Sequence, residues 1–353
     1  MDRFVGMYSK QDILDKLLDN KAPRLLFGRN TYSKAIAKHY SFDGVIDDFS
    51  DDDDWENLPI LKTADLPQNA IILNCSGGKT QTVKHILDQR DVLNVDYFFF
   101  KANVENDELP EIRFGENFTE EYERHRDKFD WLLERLEDPL SKGIFNKLCQ
   151  FKLSYDLTYL EGFKDLEKQQ YFENFLPLKQ SEEHFVDIGC FDGFTSLEFA
   201  KKFPDYRAIT AFEPDPENFM ICKKNLRALR NTNCLDIGLS EHMEEAYMTS
   251  AGSASSVSDQ GDYKVSLRTL DDMSLDRPTF IKMDVEGFEN KILAGSTKTI
   301  EAHYPTLAIG AYHNPNQLWQ VAEQVLNIRD DYALKVRHYT ETVYETVLFF
   351  LPA

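Results

Sequence analysis

Short apolar blocks alternate with amphipathic stretches through the first hundred residues. Arg24–Gly28 reads as a buried strand closing on a glycine. Thr31–Tyr40 follows as a helix, and Gly44–Asp48 as a second strand ending in aspartates. Ala70–Cys75 gives a third strand that meets Gly77-Gly78 and a helix over Thr80–Gln89; Val95–Phe100 gives a fourth. Strand alternating with helix predicts a parallel, helix-covered sheet, so residues 1–105 read as a small Rossmann-like α/β domain. The texture changes over 106–179. Phe118–Leu136 carries charges with apolar residues near helical spacing, Asp138-Pro139 breaks it, and Ile144–Tyr159 and Asp165–Phe175 read as further helices of a connector. Tyr155, Tyr159, Tyr171 and Phe172 read there as packing, since aromatic side chains mainly supply buried area.

The alternation resumes over 180–353. His184 opens an apolar strand that runs through Phe185-Val186-Asp187-Ile188 into the turn Gly189-Cys190-Phe191-Asp192-Gly193, with a helix over Ser196–Phe203. Ala208–Phe212 is a second strand, ending at Glu213-Pro214-Asp215 before a helix over Glu217–Leu229. Asn233–Ile237 leads to Gly238, and Phe280–Met283 to Asp284-Val285-Glu286-Gly287-Phe288-Glu289 and a helix ending at Gly295. Leu307–Tyr312 reads as a strand closing on His313, Gln317–Leu326 as a helix, and Tyr332–His338 with Thr346–Leu351 as a terminal hairpin.

Charge narrows the partners. Lys and Arg number 40 against 61 Asp and Glu, a formal net charge of −21 in 353 residues. Such a surface repels phosphate backbones, and no dense basic run offsets it, so nucleic acid is not an expected partner. Cys75, Cys149, Cys190, Cys222 and Cys234 form no CxxC pair, which argues against a thiolate zinc site and suits free thiols in a reducing compartment. Met1–Lys10 has no apolar signal core, and runs such as Val343–Pro352 are too short to span a bilayer. The expected protein is soluble and cytoplasmic, with a homo-oligomer as one expectation for its assembly. The aspartate run Asp51–Asp54 reads as a solvated turn, because like charges in a block repel.

The candidate chemistry lies in the second half. Gly189 and Gly193 let the backbone approach a ligand without a Cβ clash. Asp187 and Asp192 put carboxylates near the turn, a poor choice beside pyrophosphate but suited to an ammonium and a sulfonium. Glu213, at the end of the second strand, falls where an acid accepts both ribose hydroxyls of a nucleoside. Asp284 emerges at a strand tip in the same crevice, while Glu289 reads as an acid in the first turn of a helix, favouring its dipole. The first domain carries only Gly28-Arg29-Asn30-Thr31-Tyr32-Ser33 where three glycines would cradle a pyrophosphate. Gly28 and Asp47 are its weak nucleotide-binding candidates, with docking or oligomerisation as the other reading.

Asp187-Ile188-Gly189-Cys190-Phe191-Asp192-Gly193, Phe212-Glu213-Pro214, Leu267-Arg268-Thr269-Leu270-Asp271 and Ile281-Lys282-Met283-Asp284-Val285-Glu286-Gly287-Phe288-Glu289 together resemble the FkbM methyltransferase family. The resemblance covers roughly residues 180–350 and excludes the first domain. It implies a seven-stranded Rossmann-like methyltransferase fold. It also implies S-adenosylmethionine as cofactor, and methyl transfer to a hydroxyl of a sugar, glycan or natural product. On this reading Asp187, Gly189, Cys190, Asp192, Gly193, Thr195, Glu213, Pro214, Gly238 and Asp284 form the cofactor set. Asp284, Glu286 and His313 are the candidate bases, His313 because its ordinary pKa suits neutral pH. No metal is assigned; a variant has Asp284 and Glu286 holding a divalent cation that lowers the hydroxyl pKa. The competing class is a non-catalytic protein that uses a nucleoside or sugar-nucleotide pocket for docking in a glycan assembly complex.

Overall fold

The computed structural model describes residues 7–112, 115, 117–249, 256–258, 261 and 263–353. Residues 1–6 of the N-terminal segment read above lie outside it. The chain divides into two compact units, one of Met1–Glu116, Lys147–Asp165 and Thr340–Val343, the other of Asn117–Asn146, Leu166–Tyr339 and Tyr344–Ala353. The segment expected as a separate connector is thus shared between them.

In the first unit α1 (Lys10–Asp19) precedes β1 (Arg24–Phe27), α2 (Thr31–His39), β2 (Gly44–Ile46), β3 (Asp54–Trp55), β4 (Leu58–Leu61), β5 (Ile71–Asn74), α3 (Thr80–Gln89), β6 (Leu93–Asp96) and α4 (Tyr97–Asn103). The sheet order is β3-β4-β2-β1-β5-β6, parallel except for β3. Buried Leu25, Ile46, Ile72, Val83 and Leu87 form a core between sheet and helices. Val95–Phe100 is not one strand. Asp96 ends β6 and its carboxylate accepts from the Phe99 amide, capping α4, so the run of aromatics turns into a helix. The aspartate run is exposed, as expected of a solvated turn.

Three helices follow: α5 (Phe118–Arg124), α6 (Arg126–Arg135) and α7 (Pro139–Ser154). Pro139 does break the pattern, but as a first helical residue. Asp138 accepts from the Ser141 amide, and proline loses nothing at that position. Asp165–Phe175 is not a helix beyond the 3-10 turn Glu167–Gln169, since Tyr171 takes a left-handed φ of 68°. Tyr171, Phe172 and Phe175 there pack on the core of the second unit.

The second unit is built on β7 (His184–Ile188), α8 (Phe194–Lys202), β8 (Ala208–Phe212), α9 (Pro216–Leu226), β9 (Thr232–Leu235), β10 (Gly238–Leu239), β11 (Glu244–Thr249), β12 (Ser256–Ser258), β13 (Tyr263–Arg268), β14 (Phe280–Met283), α10 (Glu289–Ala294), α11 (Thr297–His303), β15 (Thr306–Gly310), α12 (Gln317–Ile328), β16 (Tyr332–His338) and β17 (Thr346–Pro352). Seven strands form the main sheet in the order β16-β17-β15-β14-β7-β8-β9. β9, β8, β7, β14 and β15 run parallel, and the β16–β17 hairpin is antiparallel. β7 and β14 are buried along their whole length, as central parallel strands are. Phe185 stacks on Phe199 and Phe280 with centroids 4.5 and 5.1 Å apart, fixing α8 to the sheet. From β7 the chain winds one way to β8 and β9; β14 and β15 build the other way. The reversal between β7 and β14 opens a crevice at their carboxyl ends. A second sheet, β10-β13-β11-β12, is absent from the sequence reading.

Candidate functional site

At that reversal the loops after β7, β8 and β14 surround a cleft. Gly189, Phe191, Glu213, Pro214, Gly238, Asp284 and Glu286 line it, and Met248 and Leu267 of the small sheet add an apolar wall. Gly189 is obligatory. Its φ is 73°, and a Cβ there would stand 2.1 Å from the carbonyl oxygen of Asp284.

Asp187 does not line this cleft. It is fully buried; Oδ2 accepts from the Ser196 hydroxyl at 2.8 Å, and Oδ1 lies 3.3 Å from Lys282 Nζ. Lys282 Nζ donates to the carbonyls of Gly189 at 2.6 Å and Ile188 at 3.3 Å. Burial alone would lower its pKa, but Asp187 and Asp284 reverse that and raise it. The pair therefore pins the turn from beneath. Cys190 faces a small core with Cys222, sulfurs 3.3 Å apart, and Asp192 accepts from the Phe194 amide. Cys190, Asp192, Gly193 and Thr195 lie outside the cleft lining. Direct contact with a ligand was expected of these residues and of Asp187; the structure buries Asp187 beneath the turn and places the others in the turn and at the start of α8.

Glu213 is in the cleft. It is 5% exposed; Oε2 accepts from the Phe191 amide at 2.9 Å and Oε1 from the Asp215 amide at 3.0 Å. Each oxygen keeps a further lone pair. Burial outweighs those two donors and pushes its pKa up to about 7. Asp215 caps α9 and accepts from the Tyr263 hydroxyl at 2.7 Å, tying the small sheet to this end of the main one.

The other wall is acidic and heavily bonded. Asp284 Oδ2 accepts from the Tyr171 hydroxyl at 2.6 Å, and Oδ1 lies 3.4 Å from the Tyr312 hydroxyl. Tyr312 also donates to Glu345 at 3.1 Å. Burial, with Asp284 close by, lifts both phenols well above their ordinary pKa, so they remain donors. Glu345 is pushed up to about 7 by burial and by Asp284. His313 Nδ1 is 3.1 Å from Glu289 Oε1, and its Nε2 is 3.5 Å from Asp284 Oδ1 and 3.8 Å from Glu286 Oε2. Burial would lower the His313 pKa, but Glu289, Asp284 and Glu286 more than reverse this and push it up to about 9. These carboxylates favour the protonated ring, in which form His313 donates a proton rather than taking one. Glu289 sits in the first turn of α10, as read from the sequence, but has further partners. It is fully buried, accepts from the Val285 amide at 3.0 Å and bonds to Gln317, whose Oε1 in turn accepts from the His313 amide at 2.8 Å.

Residues 187–339 match the model of the Methyltransferase FkbM domain. The chain carries an FkbM methyltransferase domain. A search of curated proteins finds no match. The fold is similar to a crystal structure of the methyltransferase FkbM from Methylobacillus flagellatus KT, with a TM-score of 0.74, 22% identity, and 99% of this chain and 95% of that one covered. The precorrin-6y C5,15-methyltransferase from Geobacter metallireducens GS-15 scores 0.33 at 16% identity, covering 50% of this chain and 83% of its own. Fibrillarin from Aeropyrum pernix, with natively bound S-adenosyl-L-methionine, scores 0.34 at 10%, covering 49% and 69%. The FkbM domain thus sets the chain among methyltransferases and accounts for the Rossmann-like seven-stranded sheet. Among the described residues no helix is long and apolar enough to cross a membrane.

Tyr171, Gln317 and Glu345 had no place in the sequence reading of the site. Gln317 has a usable signal, an amide opening the helix four residues after His313. Tyr171 and Glu345 reach the site only through the tertiary fold.

Proposed function

We propose that the chain transfers a methyl group from S-adenosylmethionine to a hydroxyl of a small molecule or glycan. The supporting observation is Glu213, a buried carboxylate facing the cleft beside the Gly189 turn and held by two backbone amides. It stands at the end of the strand next to β7, where an acid receives the ribose of a nucleoside. The residues fit this cofactor: glycine where a Cβ has no room, apolar walls for an adenine, and the Asp284 and Glu286 carboxylates to attract a sulfonium. When bound, the cofactor supplies the electrophilic methyl group.

The chain's part is positioning and proton handling. Lys282 fixes the turn carbonyls, so the Gly189 backbone meets its ligand in a set geometry. Tyr171 holds Asp284 Oδ2, aiming that carboxylate along one wall. Asp284 or Glu286 would take the proton of the acceptor hydroxyl as its oxygen is methylated, with the cofactor supplying the methyl group and leaving as the thioether. Calorimetry with S-adenosylmethionine tests the cofactor. Mass spectrometry of a panel of nucleotide sugars and glycans for a gain of one methyl tests the acceptor. No heat of binding would end the reading.

A further inference from the structure

Five side chains close a ring of polar contacts that begins and ends at Asp284. The Tyr171 hydroxyl donates to Asp284 Oδ2 at 2.6 Å. Gln170 Nε2 donates to the Tyr171 oxygen at 2.9 Å and to Glu345 Oε2. The Tyr312 hydroxyl donates to Glu345 Oε1 at 3.1 Å and lies 3.4 Å from Asp284 Oδ1. Two carboxylates thus flank one phenol, whose single proton cannot serve both at once. One further proton completes the chain: a protonated Asp284 donates to the Tyr312 oxygen, and Tyr312 donates to Glu345. Two ionised acids this near repel, the condition under which a pair keeps one proton between them. Burial and Asp284 hold Glu345 up to about 7, in keeping with such a pair. His313, with Nε2 3.5 Å from Asp284 Oδ1, and Lys282, whose charge Asp284 favours, act on the pair as cations; Glu286 and Glu289 stand on the imidazole. The ring also carries a backbone cost, since Tyr171 and Glu345 take left-handed φ of 68° and 59° although each has a Cβ.

Asp284 lines the cleft, whereas Tyr312 and Glu345 do not, so a charge entering the cleft meets the pair at its Asp284 end. We propose that Asp284 and Glu345, bridged by Tyr312, share one proton in the ligand-free protein and give it up when a sulfonium enters, so that the pair tells S-adenosylmethionine from its neutral thioether product. The inference rests on the proposed methyl transfer. A positive charge beside Asp284 favours the doubly ionised pair, and S-adenosylhomocysteine brings none. Asp284 is therefore an ionised acceptor for the substrate hydroxyl while a methyl donor is loaded. It takes back a proton from that hydroxyl as the oxygen is methylated. The charges balance: one sulfonium and one carboxylate become a neutral thioether and a protonated acid. Tyr312 and Glu345 act through Asp284 and are positioning residues, which set its charge.

Calorimetry on the full chain at neutral pH, in buffers of different ionisation enthalpy, counts the protons exchanged on binding. Glu213 is placed to meet the ribose that both ligands share, so its proton cancels between them. S-adenosylmethionine is expected to release about half a proton more than S-adenosylhomocysteine, the share held at neutral pH by a group that titrates there. The ratio of cofactor to product affinity then climbs as pH rises through neutrality and levels above it. Glu345→Gln, close in size but unable to take a proton, binds both ligands and abolishes the difference and the climb. Difference infrared spectra of the unmutated chain keep the test independent of how that variant folds. The protonated-carboxyl band falls further when S-adenosylmethionine is added than when S-adenosylhomocysteine is. Equal proton release, an equal fall of the band, or a difference that survives in Glu345→Gln would overturn the proposal and leave the methyl transfer standing. No heat with either ligand would end both.

Discussion

After β1 and after β7 the chain leaves a parallel strand through a glycine with left-handed φ, Gly28 at 92° and Gly189 at 73°, and enters a helix. In both units an acid follows the neighbouring parallel strand, Asp47 after β2 and Glu213 after β8. There the likeness stops. Arg29 Nε sits 2.7 Å from Asp47, and the Asn30 side chain accepts from the Tyr32 and Ser33 amides at the start of α2. The first turn has spent its acid and its helix N–H groups on itself. The second has done so less completely: Asp192 takes the Phe194 amide, but Gly193 gives α8 no N-cap side chain, and Glu213, held by two backbone amides rather than an ion pair, faces the cleft. The same strand–turn–helix topology makes a site only where the turn leaves its polar groups to a ligand.

The sharpest way to break this comparison is through the ion pairs. Asp187–Lys282 is buried on both sides, whereas Arg29–Asp47 is partly exposed. Asp187→Ala leaves Lys282 buried without its partner and is expected to cost about 3–5 kcal/mol of unfolding free energy in a denaturant titration. Asp47→Ala is expected to leave the midpoint nearly unchanged. Equal effects would mean that the second turn is not pinned from beneath. The glycines give a matching pair. Gly189→Ala drives a Cβ into the Asp284 carbonyl and is expected to abolish cofactor binding. Around Gly28 nothing lies nearer than 3.6 Å, so Gly28→Ala meets only the left-handed strain of about 1–2 kcal/mol and keeps binding.

How far the sequence foretold this difference depends on how local each contact is. The missing glycines after Gly28 and the intact Gly189 and Gly193 are legible because a turn's φ is a local demand. Glu213 is legible because a strand fixes where its end points. Asp187 turns away from the cleft for a tertiary reason: its neighbour across the sheet is Lys282 on β14, in register with it, and a buried lysine draws the carboxylate inward. Glu289 looks like a dipole acid from its place in α10 and is claimed by His313 and Gln317 only once β15 and α12 pack beside it. Tyr171 lies in a stretch with helical spacing that is not a helix, so its hydroxyl on Asp284 could not be foreseen.

A smaller effect tests the acids directly. Glu213→Ala is expected to weaken S-adenosylmethionine binding at least tenfold, from the loss of charged hydrogen bonds of about 1.5–3 kcal/mol. Asp47→Ala, already neutralised by Arg29 in the wild-type chain, is expected to leave it within twofold. A loss in both variants would place a nucleoside in the first unit too.

The smallest expected effect is the most specific to Glu213. Its carboxyl titrates near 7 because burial disfavours the charge. Ribose hydroxyls donate to the ionised form, so a bound nucleoside stabilises the charge and lowers that pKa. Affinity must therefore climb as pH rises through 7 and level off above it. Below 7 it falls by up to about tenfold per pH unit, the limit for one coupled proton. Between pH 7.5 and 6 calorimetry with S-adenosylhomocysteine should thus show a loss of several-fold in the wild-type chain and a flat profile in Glu213→Gln, which keeps the shape but has no proton to exchange. A slope that survives in Glu213→Gln would assign the proton to another group, with Glu345, bonded to Tyr312, the next to test, since it too is pushed up to about 7.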